Sequence, residues 1–242
     1  MTLLLASVRD AAEVELAIGA GADIIDLKDP SRGALGAVAP ETIEACVSRV
    51  DGRTPISATI GDLLQVEAVR DAVLKSAAFG VDYVKLGIFP DAEAERCLMA
   101  LQPEAAQLRL ILVLFADALP SFDAIGLAAR IGAAGIMFDT LGKGSGALPD
   151  HLTPAVLAGE LASARAQGLT VGLAGSLGAK HVPSLLALEP DLLGFRGALC
   201  RDGNRAAALD PARLAAIRSL IPQRLPNFRQ PNFSEAAPQA LC

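Results

Sequence analysis

Residues 3–28 read LLLASVRDAAEVELAIGAGADIIDLK, and this stretch carries the pattern that decides the fold. Residues 3–8 are apolar or small, residues 10–20 repeat apolar side chains at helical spacing, and residues 24–27 are apolar apart from one aspartate. A Gly-Ala-Gly segment precedes the second apolar run, as expected where a helix ends in a left-handed residue. The stretch therefore predicts a strand, a helix and a second strand, which is the start of a βα repeat.

The same unit recurs along the chain, since eight short apolar segments start roughly 20 to 35 residues apart. They are residues 3–8, 24–27, 56–60, 83–88, 110–115, 135–138, 170–174 and 192–195. Stretches with helical periodicity lie between them, for example at 10–20, 64–79, 92–101, 153–167 and 211–220. Continuous apolarity indicates strands covered on both faces, hence a parallel sheet. We predict an α/β protein with a single-domain (β/α)8 TIM barrel; a doubly wound open sheet is the alternative, because a sequence does not show closure.

Length and composition agree with one large core. The chain has 242 residues, of which 52% are hydrophobic and 20% charged, and this is the usual length of one barrel. We predict a catalytic domain over residues 1–221. Residues 222–242 are rich in proline and lack helical periodicity, so we predict a poorly ordered C-terminal tail there.

Several classes of partner are disfavoured by the composition. The net charge is −6 and no basic run occurs, which argues against nucleic acid. The four cysteines are far apart and the two histidines are isolated, so we expect reduced thiols and no metal site. The longest apolar run, residues 110–115, is too short to cross a membrane, and the first residues lack a basic signal-peptide region. We expect a cytoplasmic protein without a membrane partner.

Lysine is scarce, and its positions are informative. Barrel enzymes hold their reacting groups at the C-terminal ends of the strands. Three of the five lysines lie at or just beyond the ends of predicted strands 2, 4 and 6, whereas lysines that only aid solubility should be scattered over helices. The five are Lys28, Lys75, Lys85, Lys143 and Lys180.

Strands 2 and 4 both direct a lysine into the barrel. Strand 2 ends IIDLKDP, so Asp26 and Lys28 share the inner face, and Asp26 is the nearest candidate counter-ion for Lys28. Strand 4 reads DYVKLGIFP and turns Lys85 inward. Two neighbouring ammonium groups repel each other, which favours the neutral amine needed by a Schiff-base nucleophile or a general base. The alternatives are a buried pair that only holds the barrel mouth and a lysine that extends to the rim.

Strand 6 and its loop add two more candidates. The segment GIMFDTLGKGSGALPDH places Asp139 where the strand stops and Lys143 in a glycine-rich loop that can reach over the barrel mouth. Asp139 can accept a proton, orient a lysine or cap the next segment. A plain surface lysine is the alternative for Lys143.

The ends of strands 7 and 8 read GLAGSLG and GFRGALCRDGNR. Small residues at these two positions let backbone N–H groups approach an anion, which is the usual phosphate site of a barrel. The alternative is that these glycines serve only as turns. The candidates for phosphate binding are Gly175, Ser176, Arg196, Gly197 and Ala198, with Arg196 adding positive charge.

Five stretches together resemble one family, the (5-formylfuran-3-yl)methyl phosphate synthases of methanofuran biosynthesis. They are residues 4–37, 81–88, 135–148, 172–177 and 194–200, and the most specific motifs are DLKDP, VKLG and MFDTxxKG. The resemblance runs from about residue 1 to residue 220 and leaves the tail outside.

The resemblance implies a (β/α)8 barrel that condenses two molecules of glyceraldehyde 3-phosphate, with loss of phosphate and water, into 4-(hydroxymethyl)-2-furancarboxaldehyde phosphate. By motif, Lys28 corresponds to the Schiff-base lysine and Lys85 to the proton acceptor, while Asp26, Asp139 and Lys143 match the other polar residues of the family's site. The scheme requires no cofactor and no metal.

Two other functions remain open from the residues alone. One is a class I aldolase-like barrel enzyme acting on another sugar phosphate, and the other is a non-catalytic protein that binds a phosphorylated metabolite. In each case the partner is a small phosphorylated molecule. The apolar helices make a homo-oligomer the expected assembly, although no interface can be named.

Overall fold

A computed structural model describes residues 1–142 and 144–222, and within it eight parallel strands form one closed barrel in sequence order. The strands are β1 (Leu3–Val8), β2 (Ile24–Leu27), β3 (Ile56–Thr59), β4 (Tyr83–Ile88), β5 (Leu110–Phe115), β6 (Gly135–Asp139), β7 (Thr170–Leu173) and β8 (Leu192–Phe195). The ring closes where β1 pairs with β8, from Leu3 opposite Leu192 to Ala6 opposite Phe195. The predicted TIM barrel is confirmed, and the open sheet is excluded.

Helices connect the strands and cover the outside of the barrel. They are α1 (Ala11–Gly19), α2 (Pro40–Val50), α3 (Val66–Ala78), α4 (Ala94–Ala100), α5 (Gln102–Ala105), α6 (Ala124–Ile131), α7 (Leu148–His151), α8 (Pro154–Ala166), α9 (Val182–Leu186) and α10 (Pro211–Leu220). Local sequence sets their ends: the Asp10 carboxylate accepts the Glu13 N–H at the start of α1, and Gly132, with φ of 84°, ends α6.

The strand boundaries match the apolar segments to within one residue, with one informative difference. Strand β6 extends to Asp139, one residue beyond its apolar segment, because Ala116 N–H donates to the Asp139 carbonyl and Asp139 pairs with Phe115 of β5. The hydropathy of the sequence cannot predict this extension, because it depends on a backbone hydrogen bond at a polar residue. Asp139 is therefore held by the sheet itself rather than by a loop.

Side chains alternate between two cores along each strand. Ile25 and Leu27 belong to the larger core between the barrel and the helices, whereas Leu5, Val113 and Met137 fill the smaller core inside the barrel. The inner core ends toward the C-terminal ends of the strands, where polar residues replace the apolar ones. This change of polarity marks the place at which a ligand can enter.

Two findings concern the rest of the chain. Of the residues from 223 onward nothing is described, so the predicted tail, apart from Pro222, lies outside the described residues. Across residues 1–142 and 144–222, no helix combines the length and the apolar character needed to cross a bilayer.

Candidate active site

A cavity of about 400 Å³ opens at the C-terminal ends of the strands, within the range of about 300 to 1,000 Å³ typical of small-molecule sites. Its wall consists of inward-facing residues of β1, β2, β4 and β6 and of the loops that follow β6, β7 and β8. Nine of the ten residues predicted from the sequence border it: Asp26, Lys28, Lys85, Asp139, Gly175, Ser176, Arg196, Gly197 and Ala198. The tenth, Lys143, lies outside the described residues, so its catalytic role stays a prediction.

Two lysine–carboxylate pairs occupy the floor of this cavity. Lys85 Nζ lies 3.0 Å from Asp26 Oδ1, and Lys28 Nζ lies 3.3 Å from Asp139 Oδ2. All four residues are at most 7% exposed. Both lysines point inward from neighbouring parts of the barrel, as the alternation of β2 and β4 predicted.

The pairing itself corrects one expectation. Asp26 was expected to neutralise Lys28, but it binds Lys85 instead, and Lys28 reaches across to Asp139 of β6. Side chains two residues apart on one strand point the same way with their Cα atoms roughly 7 Å apart, and Lys28 Nζ lies 3.3 Å from Asp139 Oδ2. Each lysine therefore pairs with a carboxylate from a different strand.

Two serines that the sequence analysis missed hold Asp26 in place. Ser57 Oγ donates to Asp26 Oδ1 at 2.7 Å, and Ser7 Oγ donates to Oδ2 at 2.9 Å. Together with Lys85 they give the buried carboxylate three hydrogen-bond donors. Both serines lie at inward positions of strands β1 and β3, so strand alternation could have found them.

The loop after β6 is anchored from the neighbouring loop. Asp117, just beyond β5, accepts the Leu141 N–H at 2.7 Å and the Gly142 N–H at 2.8 Å, and Ser145 Oγ donates to it at 3.3 Å. Burial tends to raise the pKa of Asp117, but the N–H groups of Leu141 and Gly142 outweigh it and hold this pKa below its ordinary value. The described residues on either side of position 143 are thus anchored by an ionised carboxylate.

The loops after β7 and β8 bring backbone close to the cavity. Gly175 has φ of 92° and Ser176 has φ of 51°, and a Cβ on Gly175 would lie only 3.0 Å from the Thr140 nitrogen. The 3-10 turn Gly197–Leu199 begins at the cavity, and the first N–H groups of such a turn have no partner within it. These features suit an anion, and phosphate binding at this place stays a prediction.

Arg196 borders the cavity, but its guanidinium is taken up by groups of the protein itself. Its guanidinium forms an ion pair with buried Glu13, with Nη1 2.5 Å from Oε2, and its remaining N–H groups go to protein carbonyls. Those carbonyls belong to Ser7, Arg205 and Ala207. Since the planar fork has only five N–H groups, this set uses them all. We revise Arg196 from phosphate ligand to anchor of the β8–α10 loop.

Arg205, a second cation that sequence reasoning missed, also borders the cavity from the β8–α10 loop. Its guanidinium donates to the Gly33 carbonyl in the β2–α2 loop at 3.1 Å. The segment RDGNR carried no pattern that separates this arginine from any other exposed loop arginine.

Comparisons with known proteins identify the family of the chain. A model of the 4-HFC-P synthase family matches residues 4–218. A protein of Methylorubrum extorquens named "Putative (5-formylfuran-3-yl)methyl phosphate synthase" is 45% identical over 214 residues, covering 88% of each chain. The (5-formylfuran-3-yl)methyl phosphate synthase of Methanopyrus kandleri is 34% identical over 222 residues, covering 86% of this chain and 91% of its own.

Solved structures resemble the chain in fold alone. Phosphoribosyl anthranilate isomerase from Thermus thermophilus superimposes with a TM-score of 0.64 at 17% identity, covering 91% of this chain and 98% of its own. Dihydrodipicolinate synthase from Bacillus clausii gives 0.61 at 13% identity, covering 81% and 68%.

Fold and site together define a (β/α)8-barrel protein whose cavity, at the C-terminal ends of the strands, is lined by lysines and carboxylates. Within that class, the family match and the level of identity place the chain plainly: it belongs to the 4-HFC-P synthase family.

Proposed function

We propose that this enzyme condenses two molecules of glyceraldehyde 3-phosphate into (5-formylfuran-3-yl)methyl phosphate, also called 4-(hydroxymethyl)-2-furancarboxaldehyde phosphate, for methanofuran biosynthesis. The observation that carries the proposal is the presence of two buried lysine–carboxylate pairs in one cavity, 3.0 and 3.3 Å long. The name of the family and of its relatives supports the product, and the substrate is what the resemblance of the sequence motifs implies. The reaction balances when two triose phosphates give one furan phosphate, one inorganic phosphate and two molecules of water.

Lys28 is the proposed nucleophile. Transfer of its proton to Asp139, 3.3 Å away, leaves a neutral amine that can attack the carbonyl carbon of the first substrate. The C–N bond forms, the carbonyl oxygen leaves as water, and the resulting iminium draws electrons from the neighbouring carbon. Because Lys28 is only 7% exposed, little solvent competes for the iminium.

Lys85 is the proposed base. In its neutral form it removes the proton from the carbon next to the iminium, which yields an enamine that can add to the aldehyde of the second substrate. Asp26, held by Ser7 and Ser57, stabilises the ammonium that forms on Lys85. Asp139 and Lys143 are proposed to transfer protons during phosphate elimination, ring closure and dehydration, steps that need acids and bases on more than one side of the substrate.

The substrate phosphates are proposed to bind at the loops after β7 and β8. Gly175, Ser176, Gly197 and Ala198 offer backbone N–H groups beside the cavity, and their small side chains leave space for a phosphate. A phosphate held there places the three-carbon chain toward the lysines of β2 and β4.

Borohydride trapping tests the proposal. Glyceraldehyde 3-phosphate with borohydride should leave a reduced adduct on Lys28, located by mass spectrometry, and the untreated reaction should yield a furan aldehyde absorbing in the ultraviolet. Lys28→Arg should abolish both signals. Lys75→Arg is the matched control, because Lys75 is a 71% exposed lysine on α3.

Each contrary outcome has a separate meaning. An adduct on another lysine would refute the assignment of Lys28, and an aldol product without ultraviolet absorbance would support the aldolase-like alternative. An unmodified wild-type chain would leave only the metabolite-binding function.

A further inference from the structure

Arg205 differs from the other cations of the site in its ion pairing within the described residues. Lys28, Lys85 and Arg196 each form an ion pair with a buried carboxylate. For Arg205, no carboxylate of the described ranges 1–142 and 144–222 lies within 4.0 Å of its guanidinium, and its side chain donates one hydrogen bond there, to the Gly33 carbonyl.

The backbone around Arg205 is fixed, so the side chain is presented from a defined place. Arg196 Nε donates to the Arg205 carbonyl at 2.9 Å. The loop is closed at its base by the bridge between Cys200 and Leu209 and by the 3.1 Å hydrogen bond from Arg201 N–H to the Ala208 carbonyl. The tip of the loop borders the cavity, and the Arg205 guanidinium there contacts the β2–α2 loop.

The guanidinium of Arg205 is partly buried, and no carboxylate of the described residues pairs with it closely. Burial lowers the pKa of Arg205; Asp139 opposes that change, Arg196 reinforces it, and Asp62 and Asp29 oppose it. An arginine nonetheless stays charged in a protein, so part of its hydration is lost without a close counter-ion. Of these carboxylates, Asp139 borders the cavity, and it is already paired with Lys28.

We propose that Arg205 binds the phosphate of one substrate molecule, at the rim between the β8–α10 and β2–α2 loops. The inference rests on the proposed function, because it requires a phosphorylated substrate. The guanidinium fork matches two phosphate oxygens, and its position beside Gly197 lets the same phosphate contact the backbone of the β8 loop. Arg205 thereby takes the role that the sequence suggested for Arg196, while Arg196 holds Arg205 in place.

The test compares Arg205→Gln with Arg201→Gln in the full chain. Arg201 belongs to the same loop but is exposed and does not border the cavity, so both variants lose one positive charge from one loop. Binding of inorganic phosphate is measured by calorimetry, KM and kcat are measured with glyceraldehyde 3-phosphate, and borohydride trapping is run with that substrate and with unphosphorylated glyceraldehyde.

Loss of one charge-assisted contact should weaken phosphate binding and raise KM by about 10- to 100-fold in Arg205→Gln, with a smaller change in kcat. Trapping of glyceraldehyde should be unchanged, and Arg201→Gln should match the wild type. Phosphate binding that is equal in the Arg205 variant and the wild type, or weakened to the same extent by both substitutions, overturns the proposal.

Two further arms keep the result interpretable. If Arg205→Gln does not fold, Arg205→Met retains the aliphatic stem and gives the same comparison. If the wild type forms no adduct with either aldehyde, the proposed function fails, whereas the comparison of phosphate binding still decides the role of Arg205, since it needs no catalysis.

Discussion

At the scale of single residues, Asp26 shows how a carboxylate can serve a site without reacting in it. It is 1% exposed, and it accepts hydrogen bonds from Ser7, Ser57 and Lys85. These three donors hold the carboxylate in one position, and the position of Lys85 Nζ depends on it. Strand alternation predicted that Asp26 faces inward; it could not predict the partner, because the relative heights of β2, β4 and β6 are set by the closed barrel.

We predict that Asp26→Asn destabilises the protein by about 3 to 5 kcal/mol and abolishes most activity, because it leaves the buried Lys85 without a counter-ion. Ser57→Ala removes one donor to Asp26 and should cost about 1 to 3 kcal/mol. Urea unfolding measures both. Asp71→Asn is the control, since Asp71 forms a 2.7 Å pair with Lys75 in which both side chains are over 60% exposed. Equal effects at Asp26 and Asp71 would show that burial of the pair is irrelevant.

At the scale of elements, the loops are where the sequence was least informative. The apolar segments located all eight strands because burial on both faces imposes a pattern. Arg196 was misjudged because its direction is set by Glu13, a residue 183 positions away in the chain. Arg205 and Asp117 were missed for the same reason, since contacts between loops follow from the closed ring rather than from local pattern.

The contact between Asp117 and the β6–α7 loop predicts a local, pH-dependent opening. A carboxyl whose pKa is lowered on folding stabilises the loop fully above its ordinary value of 3.8, and this contribution is lost as the pH falls through the lowered value. We expect exchange of the Leu141 and Gly142 amide hydrogens to accelerate about tenfold in Asp117→Asn at neutral pH.

Hydrogen exchange followed by mass spectrometry measures this effect, and kcat should fall with it because the loop carries Lys143. Asp123→Asn is the control: Asp123 accepts the Gly126 N–H at the start of α6 and does not touch the loop. A loop whose exchange is the same in both variants would contradict the anchoring role of Asp117.

At the scale of the whole molecule, two kinds of contact join the end of the barrel to its beginning: the pairing of two strands and an ion pair between side chains. Strand β8 pairs with β1, and Arg218 of the last helix, α10, reaches back to the first βα unit. Its Nη1 lies 2.7 Å from Asp23 Oδ2 and 3.0 Å from the Gly21 carbonyl. Asp23 in turn accepts the Leu4 N–H of β1 at 2.8 Å. This cluster lies at the N-terminal ends of the strands, where barrels hold residues that serve stability.

We predict that Arg218→Met lowers the stability of the whole barrel by about 3 to 5 kcal/mol, because it leaves Asp23 without its cation while keeping the aliphatic stem. Such a loss is a large share of the roughly 5 to 15 kcal/mol that separates folded from unfolded proteins. The midpoint of urea unfolding should fall with little change in slope, since the surface exposed on unfolding is the same. Arg213→Met, at an exposed position of α10, should leave the midpoint unchanged. Because the cluster lies at the end of the barrel opposite the lysines, KM of the folded Arg218 variant should match the wild type; a raised KM would mean that ring closure also shapes the cavity.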